Sequence, residues 1–415
     1  MSVVVAQLGA RMHYAVPRIF SRVNALERLY TDLYALKGLP RLLRTLPHGL
    51  RPLGLRRLSS RFSPEIPAKR VTAFSTLGLE YIRRLARAKD ADERNAAFLW
   101  SGNEFCRRTI SAGFGKASLV YTFNSAGLEI LQTAQERGLK GVVEQTITPR
   151  QIERKILENE QRHYPDWEMP MAPEKLDQYC ARERAEWAVA DLVVCGSEYV
   201  RKGIIEAGGM PEKIAVVPYG LEFGVRSPPK KLERQRGPLR VLTVGSVCLR
   251  KGSPYVLAAA KLAGADAEFR MVGPIQVGPI AELALRQHIT MVGVIPRSEV
   301  IDHYDWADVF LLPSLCEGSA TVSYEALYNG LPVICTPETG SVVRDDIDGF
   351  IVPSRNAAAI VEKLIPLGHD PRRLKMMSES ARERSREYTL AKYGGRLISM
   401  LCNQVSPKVT DPASG

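Results

Sequence analysis

Short apolar runs recur along this chain, separated by amphipathic stretches of helical spacing. Residues 3–8 form the first run, Gly9-Ala10-Arg11 reads as a tight loop, and Pro17 opens a helix predicted to reach about Leu36. Further strand-like runs follow at 71–74, 97–100, 119–123, 141–144, 192–195 and 214–217. Residues 148–190 are long, polar and helical, with breaks near Tyr164-Pro165 and Pro170–Pro173. A second series places strands at 240–245, 268–273, 290–293, 308–312, 333–335 and 350–352. Helices are predicted between them near 253–263, 279–288, 297–306, 319–329 and 357–366. Alternation of this kind predicts parallel sheets with helices on their faces, an α/β fold.

Length then sets the domain count. At 415 residues the chain exceeds one ordinary core. The stretch 223–238, rich in Pro, Lys and Arg with little to bury, reads as a linker. Residues 1–222 become one Rossmann-like domain and 239–386 a second. The helix within 387–404 is expected to cross back to the first, and 405–415 reads as a disordered tail.

Charge changes the picture in one place. Nine basic residues lie between Lys37 and Arg70 against Glu65 alone, which is two-thirds of the net +12. Leucines interleave with these bases, a pattern suited to an anionic membrane surface; a solvated, partly ordered insertion is the alternative. Phe62 is the segment's only aromatic, which argues against nucleic acid. No apolar run approaches a membrane span, and the N-terminus lacks a basic start and a cleavage site, so a cytoplasmic protein, peripheral on the inner membrane face through 37–70, is expected. The seven cysteines form no Cys-x-x-Cys pair and read as reduced, buried thiols.

Two stretches carry candidate chemistry. In 241–252, VLTVGSVCLRKG, a strand ends at Gly245-Ser246 and a short loop brings Arg250-Lys251-Gly252 to the start of a helix. Cations and free backbone N–H groups at the carboxyl end of a parallel strand suit a diphosphate. In 311–332, LLPSLCEGSATVSYEALYNGLP, Glu317 precedes a helix and Glu325 lies on it. Gly318 permits close approach of a ligand, and two carboxylates beside an anion site suit a molecule bearing both phosphates and hydroxyls. An exposed loop acid and a helical acid paired with a lysine is the bland alternative.

The embedding of these residues resembles a known family. The stretches 244–252, 307–334 and DGFIVP at 348–353, with ADLVVCGSEYV at 190–200 and KIAVVPYG at 213–220, look like family 4 (group 1) retaining glycosyltransferases of the two-Rossmann GT-B fold. The resemblance covers most of the second half and thins before about residue 175. It implies two Rossmann-like domains facing across a cleft, and a UDP- or GDP-linked sugar as donor substrate. Glu325 would hold the ribose hydroxyls and Glu317 the donor hexose. Gly245, Gly318 and Ser319 would contact phosphate or sugar, and Lys251 would neutralise the diphosphate. Many members carry an arginine after the strand glycine; Ser246 stands there in this chain, and Arg250 is the substitute. The loop 293–296, with Val294, matches the nucleobase region.

The resemblance further implies a front-face displacement in which the departing diphosphate takes the acceptor proton, with Arg250, Lys251 and the helix N-terminus holding the leaving charge. No cofactor or metal is implied. Asp90-Ala91-Asp92 reads as a solvated helix end, and Asp345, Asp346 and Asp348 as turn and helix-end residues. The acceptor, a glycan or a lipid-linked saccharide, would approach from the first domain, where Gly9, Ala10, His13, Asn124 and Glu144 are candidates. Other readings are a phosphorylase, for which no pyridoxal lysine stands out, a nucleotide-sugar epimerase of the same fold, and a non-catalytic GT-B protein that binds a polymer or scaffolds glycan synthesis.

Overall fold

A computed structural model describes residues 1–37, 58, 61–169, 174–222 and 237–405. Two parallel sheets organise the described chain. The first contains β1 (Val3–Ala6), β2 (Leu26–Thr31), β3 (Val71–Ala73), β4 (Leu119–Phe123), β5 (Lys140–Gln145), β6 (Leu192–Cys195) and β7 (Ile214–Val216). Their spatial order is β3-β2-β1-β4-β5-β6-β7. The second contains β8 (Leu239–Val244), β9 (Ala267–Val272), β10 (Ile289–Gly293), β11 (Val309–Leu312), β12 (Val333–Cys335) and β13 (Gly349–Ile351), in the order β10-β9-β8-β11-β12-β13. Every strand pair is parallel. The central strands read as unbroken apolar runs because helices cover both faces; Val3, Val4 and Val5 are wholly buried.

Two sequence expectations fail in the first domain. The helix predicted from Pro17 to Leu36 is the helix Ala15–Arg22 followed by β2. The turn falls at Asn24, which takes a left-handed φ of 56° and redirects the chain. The strand predicted at 97–100 lies inside the helix Ala91–Ala112. Asp90 caps that helix by accepting from Glu93 N at 2.8 Å, and local capping outweighs the short Ala-Phe-Leu-Trp run.

Two helices join the halves. The helix Arg150–His163 buries Leu157 among second-domain side chains such as Leu239 and Tyr255. From the other end of the chain, the helix Leu390–Val405 places Leu390, Tyr393, Leu397 and Leu401 in the first-domain core beside Val3, Ile19 and Tyr219. Each such side chain contributes roughly 1.5–3 kcal/mol on full burial, so the last helix clamps the first sheet. Most of the proposed linker and tail, and most of 37–70, lie outside the described residues. Within that segment Arg61 pairs with Asp32 at 3.0 Å and Glu65 receives Arg18 and Arg22, so its described end packs on the first domain. All seven cysteines are free, six of them buried and Cys402 exposed. No described helix is long and apolar enough to cross a membrane.

Candidate functional site

In each sheet the strand order reverses once, between β1 and β4 and between β8 and β11. Ligands of open α/β sheets bind at such points, beyond the carboxyl ends of the strands. The loops after β8 and β11 carry Gly245–Gly252 and Pro313–Ala320. Those after β1 and β4 carry Gly9–Tyr14 and Asn124–Gly127.

Arg250 and Lys251 converge on one acid. Arg250 Nη1 and Lys251 Nζ each lie 2.7 Å from Glu317 Oε1. Arg250 also stands 3.8 Å from Glu153 of the first domain, which itself pairs with Arg150. An alternating row of charges, Arg150, Glu153, Arg250, Glu317 and Lys251, therefore crosses from one domain to the other. Three cations face two carboxylates, so the row carries one excess positive charge. Burial opposes ionisation of Glu317, but Lys251 and Arg250 outweigh it and hold the carboxyl below its usual range. Burial would lower the Arg250 guanidinium, yet Glu317, Cys248 and Glu153 raise it.

The loop bearing Glu317 is fastened to the first domain. Thr148 donates to the Glu317 carbonyl from its backbone N at 3.3 Å and from its hydroxyl at 2.7 Å. Ser197 Oγ donates to the Gly318 carbonyl. A Cβ on Gly318 would stand 1.9 Å from the Thr146 carbonyl oxygen, so only glycine admits this contact. Ser319 is buried, donates to the Gly340 carbonyl and shares a hydrogen bond with Tyr324, so its side chain is committed to the loop. Gly245 has φ 138° and presents its Cα to the Lys251 stem; Ser246 is half-buried beside it.

Glu325 is engaged as well. Arg297 Nη2 donates to it at 3.0 Å and Tyr304 Oη at 3.1 Å. Burial raises its pKa against the pull of Arg297 and Tyr304. Arg297 spans the cleft, since its Nη1 donates to His13 Nε2 at 2.9 Å. His13 must then be neutral at Nε2, and burial followed by Arg297 and Arg18 lowers its pKa. The loop holding His13 is strained: Met12, His13 and Tyr14 have φ of 47°, 51° and 61° in succession. Ala10, His13, Arg297, Thr321 and Glu325 line a cavity of about 570 Å³ between the domains. Val294 is 53% exposed at the end of β10.

The other first-domain candidates divide. Gly9 (φ 75°) donates its N–H to Asp32 at 2.9 Å and shapes the loop. Asn124 accepts from Thr146 N and Oγ1 and lines a first-domain cavity. Glu144 departs from the expectation of a cleft-facing acid. It is 1% exposed and receives Tyr121 Oη at 2.6 Å and Tyr219 Oη at 3.0 Å, with Tyr393 of the last helix packed edge-on against Tyr219.

Sequence reasoning missed Glu153, Arg150, Thr148, Arg297 and Arg11, whose Nη2 donates to the Thr146 carbonyl at 3.2 Å and to Tyr219 Oη at 3.0 Å and whose Nε lies 3.6 Å from Glu144. Glu153 and Arg150 open a helix whose polar composition reads as solvated. Arg297 had a signal, a Pro-Arg pair starting the helix after the expected nucleobase loop. Asp345 and Asp348 serve the turn they belong to, accepting from Ile351 N and pairing with Arg344. Among the described residues no cluster of three or more His, Cys, Asp or Glu is arranged to hold a metal ion.

Residues 226–384 match the family model described as glycosyl transferases group 1. Among curated relatives, the putative colanic acid biosynthesis glycosyltransferase WcaL of Escherichia coli is 29% identical over 210 residues, covering 46% of this chain and 51% of that protein. The amylovoran biosynthesis glycosyltransferase AmsK of Erwinia amylovora is 28% identical over 200 residues, 44% of this chain and 48% of that protein. The chain spans about half the length of the curated relatives it matches. Among solved structures, sucrose-phosphate synthase from Thermosynechococcus elongatus superposes with a TM-score of 0.67 at 17% identity, covering 98% of this chain and 99% of that one. Anabaena Alr3699/HepE in complex with UDP and glucose gives 0.60 at 12% identity, covering 97% and 100%. The architecture is the two-domain GT-B fold.

Proposed function

We propose that this chain is a retaining glycosyltransferase that moves a hexose from a UDP- or GDP-linked donor to a glycan or lipid-linked acceptor in polysaccharide or glycolipid synthesis. The observation that carries the reading is the convergence of Arg250 and Lys251 on Glu317 at the second sheet's switch point, with Glu325 one helical segment away. The group 1 match over 226–384 and the polysaccharide-synthesis relatives support it.

A diphosphate carries more negative charge than the carboxylate it would displace, so its entry draws Arg250 and Lys251 off Glu317. The freed carboxylate then accepts hydrogen bonds from donor hexose hydroxyls. The same exchange removes Arg297 from Glu325, which takes the ribose hydroxyls. In the transfer step the acceptor oxygen bonds to the anomeric carbon on the face the leaving group departs. The bond from that carbon to the phosphate oxygen breaks with its electron pair, and the acceptor proton passes to the departing diphosphate. Charge accumulates on the diphosphate, where two fixed cations and the N-terminus of the helix Thr321–Tyr328 stabilise it. No metal enters this scheme.

Incubation with a panel of UDP- and GDP-sugars and a mixture of saccharide acceptors, reading nucleoside diphosphate release, tests the proposal. Release with one donor supports it, and activity should persist in excess chelator. Tight nucleotide-sugar binding without turnover under every acceptor would favour a non-catalytic scaffold instead.

A further inference from the structure

A segment that belongs to the first domain by sequence is seated on the second. After β5 the chain runs through the helix Arg150–His163 and into a turn at 165–167. Glu160 is wholly buried and receives Tyr255 Oη at 2.7 Å and Arg355 Nε at 2.5 Å. Trp167 is buried in the second-domain core, and its carbonyl accepts from Gly278 N at 2.8 Å. The backbones pass so closely that a Cβ on Gly278 would stand 2.8 Å from the Asp166 carbonyl oxygen. The loop bearing Gly278 is tied in turn to the loop Gly245–Gly252, since Val247 N donates to the Pro274 carbonyl and Gln276 N to the Val247 carbonyl. These contacts deliver Glu168 to one backbone group: Leu249 N donates to Glu168 Oε1 at 2.5 Å.

Leu249 immediately precedes Arg250 and Lys251, and its side chain is wholly buried. A bond to its N–H therefore helps to fix where both cations point. The half-buried carboxylate is also a charge. Facing it are Arg250 and Cys248 on the same loop and Glu153 on the helix Arg150–His163. Burial pushes the Cys248 thiol up, so it stays neutral. An ionised Glu168 cancels the one excess positive charge of the row Arg150, Glu153, Arg250, Glu317 and Lys251, whereas a protonated Glu168 leaves that excess in place. Burial, with Glu153, disfavours the ionised form and outweighs the Leu249 N–H and Arg250, so the carboxyl lies above its ordinary range. A diphosphate arriving at Arg250 and Lys251 would add like charge beside Glu168 and engage the cation that faces it. Both effects favour protonation.

We propose that Glu168 is a positioning residue for transfer: through the Leu249 N–H it sets the loop that carries Arg250 and Lys251, and its carboxylate takes up a proton from solvent as the donor diphosphate arrives. This rests on the transferase reading above. The test uses the full chain, without acceptor, and the nucleotide sugar that the donor panel selects, whose diphosphate carries no group that titrates near neutral pH. Calorimetric titration in buffers of different ionisation enthalpy counts the protons taken up on binding. The parent should take up more than Glu168→Gln, whose amide oxygen still accepts from Leu249 N but cannot ionise. By linkage, the parent's affinity should weaken as pH rises, and that of Glu168→Gln should change less. Turnover separates positioning from folding. Glu168→Ala, which loses the acceptor, should lower kcat roughly tenfold, more than it raises the donor KM, and Glu168→Gln should restore it. Equal proton counts in the parent and Glu168→Gln overturn the assignment, as does an alanine variant with parent-like kcat or a glutamine variant as slow as the alanine one. Donor binding without a Glu168-dependent proton sinks this assignment alone, whereas a chain that neither binds nor cleaves any nucleotide sugar sinks the transferase reading first.

Discussion

Replacing Lys251 with methionine separates leaving-group stabilisation from folding. Lys251 Nζ lies 2.7 Å from Glu317 Oε1, and at an effective dielectric of about 20 such a contact is worth a gross 6 kcal/mol or so. Desolvation of two buried charges offsets most of that. Arg250 remains 2.7 Å from the same oxygen, so Glu317 is not left alone. Removing one cation also takes the row from one excess positive charge to neutrality. The folding penalty should therefore fall well short of the roughly 3–5 kcal/mol that accompanies an orphaned buried charge. The transition state fares differently. It loses one of two cations poised for the diphosphate, an effect of about 2.7–4 kcal/mol, or 10²–10³ in kcat. Steady-state nucleoside diphosphate release with the selected donor measures the second quantity, and thermal unfolding measures the first. Expected is a Lys251→Met protein that melts close to the parent and turns over 10²–10³ more slowly. Parent-like turnover would refute the reasoning, since the cation then does nothing for the departing charge.

Gly318→Ala should lower Tm and activity together, because its Cβ would stand 1.9 Å from the Thr146 carbonyl and the domains must shift to admit it; a cost of about 1–3 kcal/mol is expected for such overpacking, read by thermal unfolding. The His13–Arg297 contact requires neutral His13, whose folded pKa lies below its ordinary value for reasons of burial, Arg297 and Arg18. Its stabilising share is thus present above the ordinary histidine pKa of about 6.5 and lost as pH falls through the lower folded value. The Tm of the parent should therefore drop more steeply on acidification than that of His13→Gln, and parallel curves would show that the contact is not pH-linked. Flotation with anionic liposomes, comparing the full chain with one in which the bases between Arg41 and Arg57 are changed to serine, should show salt-sensitive binding only for the parent; equal recovery in the soluble fraction would exclude a membrane role for that segment.

Most of the second domain was legible from the sequence because its strands are short, predominantly apolar and punctuated by glycine or proline. The helices Ser253–Ala263 and Arg297–Trp306 fall where periodicity puts them. The first domain was less so. Ile19, Phe20, Val23, Leu26, Leu29 and Leu33 keep a helical spacing straight through the turn at Asn24, so β2 was hidden inside a helical pattern. At the site, Arg250, Lys251 and Glu317 could be paired from their loops alone. That Glu317 is neutralised by both cations, and that Arg297 covers Glu325, depends on which helices end beside one another. Glu153 was invisible for a related reason: a buried acid on a polar helix looks like a solvated one until the second domain packs against it. Glu144 was misplaced conversely, since a strand-end position does not reveal that Tyr121 and Tyr219 close over it.

A crystal structure of the protein with UDP, and separately with GDP, tests the central claim most directly. The account predicts a diphosphate within hydrogen-bonding distance of Arg250 and Lys251, both drawn away from Glu317, and a ribose on Glu325 in the place Arg297 now holds. A nucleotide bound elsewhere, with the Arg250–Glu317, Lys251–Glu317 and Arg297–Glu325 pairs intact, would contradict it.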